Sequence, residues 1–177
     1  MAKVSTIVRA TEALPYLVFT YGTLKRNEPN HHVMMGGQGN AEFIDKAYTV
    51  DTYPLVIASK FNVPFLLDKK NVGHNVRGEV YRVDKVKLAQ LDELENHPHL
   101  YVRREEAVAV GSDNDEESQQ VLDAWIYFLP NFREELLEKQ FFANYTSSGD
   151  HGLPYEPNDD IDNQGDIYDA LEQAAKK

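Results

Sequence analysis

The apolar residues of this chain come in short runs, and their brevity constrains the fold more than any other feature. LVFTY (17–21), LVI (55–57), VPFLL (63–67), VYRV (80–83) and VLDAWIYFL (121–129) are each of strand length and bounded by Gly, Pro, Asn or Asp. None approaches the ~20 apolar residues of a membrane-spanning helix, so a soluble protein rich in short extended segments is expected. Partial alternation through Phe43, Ala47 and Tyr48 adds an extended segment at 41–51, and 101–110 has strand composition. The runs at 55–57 and 63–67 flank a turn at 59–62 and predict a hairpin with Pro64 in an edge position. Those at 101–110 and 121–129 can pair antiparallel. Gly78, inside 76–83, predicts a bend or bulge.

Helical spacing is scarcer. Residues 33–39 fit a short helix or loop, and Phe132, Leu136, Leu137 and Phe141 predict a helix over 132–142. Asp84 is placed to cap the helix that follows it, by accepting a bond from an unpaired N–H of the first turn. Leu88, Leu91 and Leu94 form that helix's apolar stripe. At roughly 100° per residue, Glu95 falls about 40° from the stripe's centre, whereas Glu93 points nearly opposite. Pro98 disfavours helical geometry at His97, so the helix should stop just after Glu95. Glu95 is then either a partly desolvated acid suited to proton transfer or a rim residue that reaches water or pairs with Arg103 or Arg104. The helix alone does not decide. Asp92 and Glu93 read as solvated charges.

The first strand ends in Tyr21, Gly22 and Thr23, where glycine permits positive φ and close approach of a ligand to the backbone. Successive N–H groups in such a turn can converge on an anion, although the segment alone reads more readily as a strand ending in a plain glycine turn. Composition narrows the partners. With 18 Lys and Arg against 29 Asp and Glu, and a net charge of -11, the chain is poorly suited to binding nucleic acid. It has no cysteine, which excludes disulfides and thiol nucleophiles. Residues 1–14 read as a flexible leader without the apolar core of a signal peptide, 15–157 as one domain, and 158–177 as an acidic tail. A cytoplasmic monomer, away from membranes, is expected. Residues 111–120 form an acidic loop, and no His or carboxylate spacing matches a metal site. Residues 160–165 only superficially resemble a calcium loop, and the Gly22 turn lacks the endings of a phosphate-binding loop. Neither metal nor cofactor is expected.

Several blocks in order are more specific than any one of them: VFTYGTLKRNEPN (18–30), YPLVIA (53–58), VPFLL (63–67), GEVYRVD (78–84), LDELENHPHLYVRR (91–104) and YTSSGDHGLPYEP (145–157). On these the chain resembles the γ-glutamylcyclotransferase-like superfamily, in its AIG2-like branch. The resemblance implies an α+β fold, a small mixed β-barrel with peripheral helices. It also implies that Tyr21, Gly22, Thr23 and Leu24 bind the γ-glutamyl group and that Glu95 is the catalytic acid/base. The implied reaction is cofactor-independent closure of a γ-glutamyl group to 5-oxoproline. A γ-glutamylamine such as ε-(γ-glutamyl)lysine is the expected substrate, with γ-glutamyl amino acids, or a non-catalytic small-molecule-binding module, as alternatives. Asn27 and Phe65 depart from residues common in the family, which bears on the shape of side pockets.

Overall fold

The structure is a computed structural model and describes residues 7–111 and 119–157. Most of the acidic loop 111–120, the tail 158–177 with its 160–165 segment, and residues 1–6 of the leader lie outside the described residues. The elements follow the order β1 (Tyr16–Thr20), α1 (His31–Met35), β2 (Ala41–Tyr53), β3 (Leu55–Ala58), β4 (Val63–Leu66), β5 (His74–Val83), α2 (Lys85–Leu94), β6 (Val102–Val110) and β7 (Gln120–Phe128).

Five strands close into a barrel in the order β1-β5-β2-β6-β7. Most neighbours are antiparallel, but β1 meets β7 in parallel at Val18 and Trp125, which makes the barrel mixed. This is the expected α+β barrel with peripheral helices. The predicted hairpin forms from β3 and β4, pairing Ile57 with Pro64, and joins the end of β7 through Leu67 and Leu129. No helix among the described residues is long and apolar enough to cross a membrane.

Two core clusters explain why β1 is apolar at consecutive positions. Phe19 points into the barrel with Val76, Val80, Val108 and Ile126, while Val18 faces outward onto a second cluster with Phe65, Tyr81, Leu88 and Leu91. Side chains of a strand alternate between faces, so a strand covered on both sides is apolar throughout. The second cluster seats α2 and the β3–β4 hairpin on the outside of the barrel.

Helix α2 starts where expected: the Asp84 carboxylate accepts from Lys87 N–H and also from the N–H and side-chain amide of Asn40. Lys87 is fully buried, and its ammonium donates to the carbonyls of Val33 and Gly36 and to Gln90 Oε1, tying the segment after α1 to α2. Among the described leader residues, Val8 exchanges two 2.7 Å hydrogen bonds with the Gln120 side chain.

Three expectations are corrected. Leu94 does not complete the buried stripe and is 42% exposed. Residues 132–142 form only a short 3-10 helix, Glu134–Glu138, without a side-chain cap. Phe132, Leu136, Leu137 and Phe141 instead pack against the outer cluster, so their spacing reflects tertiary contacts. Gly78 does not mark a bulge; the register shifts lie in β2, between Phe43 and Asp45 and between Tyr48 and Thr52. A Cβ on Gly78 would collide with the Thr20 carbonyl and lie 2.5 Å from the Phe19 ring, so this glycine lets β1 lie close against β5. Gly78→Ala should therefore lower stability by about 1–3 kcal/mol, as overpacking does. Urea denaturation measures this, and a loss within about 0.5 kcal/mol would show that the β1 neighbours give way to a methyl group.

Candidate active site

At the end of β1 the chain turns, with Lys25 N–H donating to the Gly22 carbonyl at 3.2 Å. Gly22 is not among the positive-φ residues, so the expected reason for glycine there is corrected. A Cβ at this position would lie 2.8 Å from Pro64 Cγ, and it is the β3–β4 hairpin that requires its absence. The turn is held from several sides. The buried Lys25 ammonium donates to Asn144 Oδ1 at 3.1 Å and to the Tyr145 carbonyl at 2.6 Å. Arg26 donates from its backbone N–H and from Nε to the two oxygens of Glu79. Asn30 bonds both the carbonyl and the hydroxyl of Thr23. The N–H groups of Gly22, Thr23 and Leu24, in contrast, meet no acceptor among the described residues.

Glu95 borders the same cavity as this turn. It closes α2 as its C-cap, its N–H donating to the Leu91 carbonyl, and Asn96 then leaves the helix with φ of 48°. One cavity of about 200 Å³ is lined by Tyr21, Gly22, Thr23, Leu24 and Glu95 together, with Asn30, Pro64, Phe65, Tyr101, Tyr127 and Tyr155. All the residues singled out in the sequence thus border one space. Glu95 is the one charged side chain among its lining residues.

Desolvation by burial pushes the Glu95 carboxyl up to about 7. The ion pairs that could have lowered it are made elsewhere. Arg103 grips Asp92 through Nε at 2.6 Å and Nη2 at 3.0 Å. Arg104 pairs with Asp68 at 2.7 Å and with Glu106 at 2.6 Å. Glu95 thus pairs with neither Arg103 nor Arg104; it is partly buried and borders the cavity. Three tyrosines surround it. The Tyr21 hydroxyl donates to the Tyr127 carbonyl at 2.8 Å, and the Tyr127 hydroxyl donates to Asp92 Oδ1 at 2.7 Å. The Tyr101 hydroxyl lies 3.5 Å from the Pro64 carbonyl, too far for a firm bond. Burial first, and then the Glu95 charge, raise the Tyr21 phenol well above its ordinary value; burial, Tyr21 and Glu95 do so for Tyr101. These phenols stay protonated at neutral pH. Among the described residues no three His, Asp or Glu side chains gather to hold a metal ion.

Asp92, expected to be an ordinary solvated charge, is corrected: it is tied to Arg103 and Tyr127. The signal was its place on the helical wheel, about 60° from Glu95 at the border of the apolar stripe. Tyr101 belongs to the outer core cluster and also lines the cavity, its ring stacked on Phe65 at 6.1 Å. Tyr127 and Tyr155 had no local signal, because partners distant in sequence place them.

Residues 18–149 match the profile of the family described as Gamma-glutamyl cyclotransferase, AIG2-like. The chain belongs to this family. It is an enzyme of the γ-glutamyl cyclotransferase type. Similar relatives include Gamma-glutamylaminecyclotransferase C of Danio rerio, 42% identical over 139 residues, covering 78% of this chain and 91% of that one. Gamma-glutamylaminecyclotransferase of Bos taurus is 41% identical over 141 residues, covering 79% and 81%. The crystal structure of an AIG2-like protein from Mus musculus superposes with a TM-score of 0.75 at 36% identity, covering 82% of this chain and 97% of that one.

In this cyclotransferase the raised Glu95 has a thermodynamic consequence. A carboxyl whose folded value of about 7 exceeds its ordinary 4.5 stabilises the fold while protonated, and that contribution fades as pH rises through 7. Glu95→Gln, which cannot ionise, should match wild type near pH 4 and become more stable than it by about 1–3 kcal/mol at pH 8.5. Denaturant titrations at several pH values measure the difference. A constant gap between the two proteins would show that Glu95 titrates normally.

Proposed function

We propose that this enzyme acts on γ-glutamylamines, for which ε-(γ-glutamyl)lysine is a representative substrate, and that Glu95 carries the proton. The observation behind the reading is what borders one cavity: the Glu95 carboxyl, a turn whose N–H groups meet no acceptor among the described residues, and no cationic side chain among the described lining residues. A γ-glutamyl group fits this division. Its α-ammonium suits the Glu95 side, and its α-carboxylate, or the oxygen of the reacting carbonyl, suits the N–H groups of Gly22, Thr23 and Leu24.

The reaction needs no outside nucleophile. Glu95, as carboxylate, takes a proton from the α-ammonium, and the freed amine attacks the γ-carbonyl carbon, forming a five-membered ring and an oxyanion. Collapse of this adduct breaks the original C–N bond while Glu95 returns the first proton to the departing nitrogen and relays to it the second proton that the ring nitrogen sheds. The products are 5-oxoproline and the amine in its ammonium form, and Glu95 is restored as carboxylate. A carboxyl near 7 suits both halves, because donor and acceptor forms are both populated at neutral pH. Holding the substrate curled brings amine and carbonyl together and supplies several kcal/mol of the barrier reduction.

The absence of a lining cation also separates the substrate classes. A γ-glutamyl amino acid carries a second carboxylate one carbon from the leaving nitrogen, beside Glu95 and without a counter-charge. A γ-glutamylamine has only methylenes there, and in ε-(γ-glutamyl)lysine the far carboxylate lies several bonds away. Incubation with each class, followed by mass spectrometry for 5-oxoproline, should show kcat/KM favouring the γ-glutamylamine by at least about tenfold, equivalent to ~1.4 kcal/mol. Glu95→Gln should reduce kcat by about 10²–10⁴-fold with KM changed little. Comparable kcat/KM on both classes would overturn the substrate reading, and an active Glu95→Gln protein the proton carrier.

A further inference from the structure

Asp92 and Glu95 are three residues apart at the end of α2, so their side chains are neighbours, with about 5–6 Å between Cβ atoms. Their surroundings are opposite. Burial works against ionisation of Asp92, but hydrogen bonds from Arg103 and Tyr127 outweigh it and hold its carboxyl below the ordinary range. Glu95 accepts from no cation. Arg103 is fixed by more than Asp92: its guanidinium lies 4.4 Å from the centre of the Trp125 ring, and its N–H reaches His97 Nδ1 at 3.3 Å. On this side of α2 the next carboxylate after Asp92 is Glu95, since Glu93 faces solvent. A guanidinium on a long, flexible stem therefore sits within a helical turn of the one acid on the cavity.

We propose that Asp92 is a positioning residue for Glu95: its two-pronged grip on Arg103 keeps the guanidinium out of the cavity and leaves the neighbouring carboxyl without a counter-cation. The same carboxylate fixes the Tyr127 hydroxyl, whose own carbonyl receives the Tyr21 hydroxyl, so one side chain both withholds the cation and braces two cavity walls. The inference rests on the site of the proposed reaction and explains why Glu95 does not pair with the arginine that its helix neighbour Asp92 holds. The groups around Glu95 are Tyr21 just after β1, Tyr101 just before β6, Arg103 on β6 and Tyr127 from β7. Asp92 belongs to its own helix, His97 to the following turn, and Tyr155 to the 144–157 segment. Of these only Asp92 and Arg103 bear opposite charges that cancel.

That cancellation makes the test directional. In Asp92→Asn the arginine keeps its charge and loses its carboxylate partner, so the Glu95 titration midpoint should fall by about 0.5–1 pH unit. In Arg103→Met the anion of Asp92 remains, and the midpoint should rise by a similar amount. The double variant, neutral at both positions, should return close to wild type. Carbon-13 NMR of the labelled Glu95 carboxyl reads these midpoints without substrate, with the His97 ring followed separately in the same titration. The acid limb of kcat/KM against pH should move in the same order. Single variants that shift the same way, a double variant that fails to return, or changes in kcat with midpoints unmoved would reduce Asp92 to a structural brace and overturn the inference. If Arg103→Met does not fold, Asp92→Asn and the double variant still decide, by whether removing the arginine reverses the shift. Because NMR needs no turnover, moved midpoints in a protein that makes no 5-oxoproline would refute the reaction and keep the positioning role, while normal turnover with unmoved midpoints would do the reverse.

Discussion

Where β1 meets β7, Val18 pairs with Trp125 in parallel, and the barrel closes at that seam. Beyond the seam the two strands carry Tyr21 and Tyr127 onto the cavity wall, and the Tyr21 hydroxyl extends the junction by one more hydrogen bond to the Tyr127 carbonyl. The turn that follows β1 therefore inherits its position from a strand packed on both faces. Open the seam and the turn, its free N–H groups and the wall facing Glu95 all lose their reference.

Preorganisation costs something locally, and the structure distributes that cost. Three N–H groups that meet no acceptor among the described residues and a carboxyl whose charged form burial disfavours are each unfavourable in a folded protein. They persist because their neighbours are over-determined. Glu79 takes two bonds from Arg26 and a third from the Tyr81 hydroxyl, the Lys25 ammonium takes two acceptors from residues 144 and 145, and Pro64 packs where a Gly22 side chain would stand. Donors fixed in this way need not reorganise when charge develops near them, which is where such groups are most effective.

The parts of this architecture visible in the sequence are those decided locally. Asp84 and Pro98 bound α2 by capping and steric rules, and helical geometry alone sets Glu95 apart from Glu93. The β3–β4 hairpin follows from two apolar runs around a turn, and the order of the sequence blocks pointed to the barrel. What stayed hidden was decided at long range. Gly78 and Gly22 are both glycines for lack of room, not for φ, and the colliding atoms belong to other strands. Asp92 looked solvated because Arg103 and Tyr127 come from β6 and β7. The 132–142 stretch has helical spacing without helical support, its apolar residues being drawn to the outer core individually.

The seam also sets a timetable for the molecule's birth. Residues that close the barrel stand near opposite ends of the described chain, so a polypeptide emerging from the ribosome holds the turn and Glu95 long before β7 exists. Until β7 and then the segment carrying Tyr145 and Tyr155 are made, Lys25 lacks its acceptors, Tyr21 its partner and the cavity two of its walls. Pairing of such distant strands is slow compared with helix formation. The cavity is therefore complete only once segments far apart in the sequence have folded onto the turn after β1.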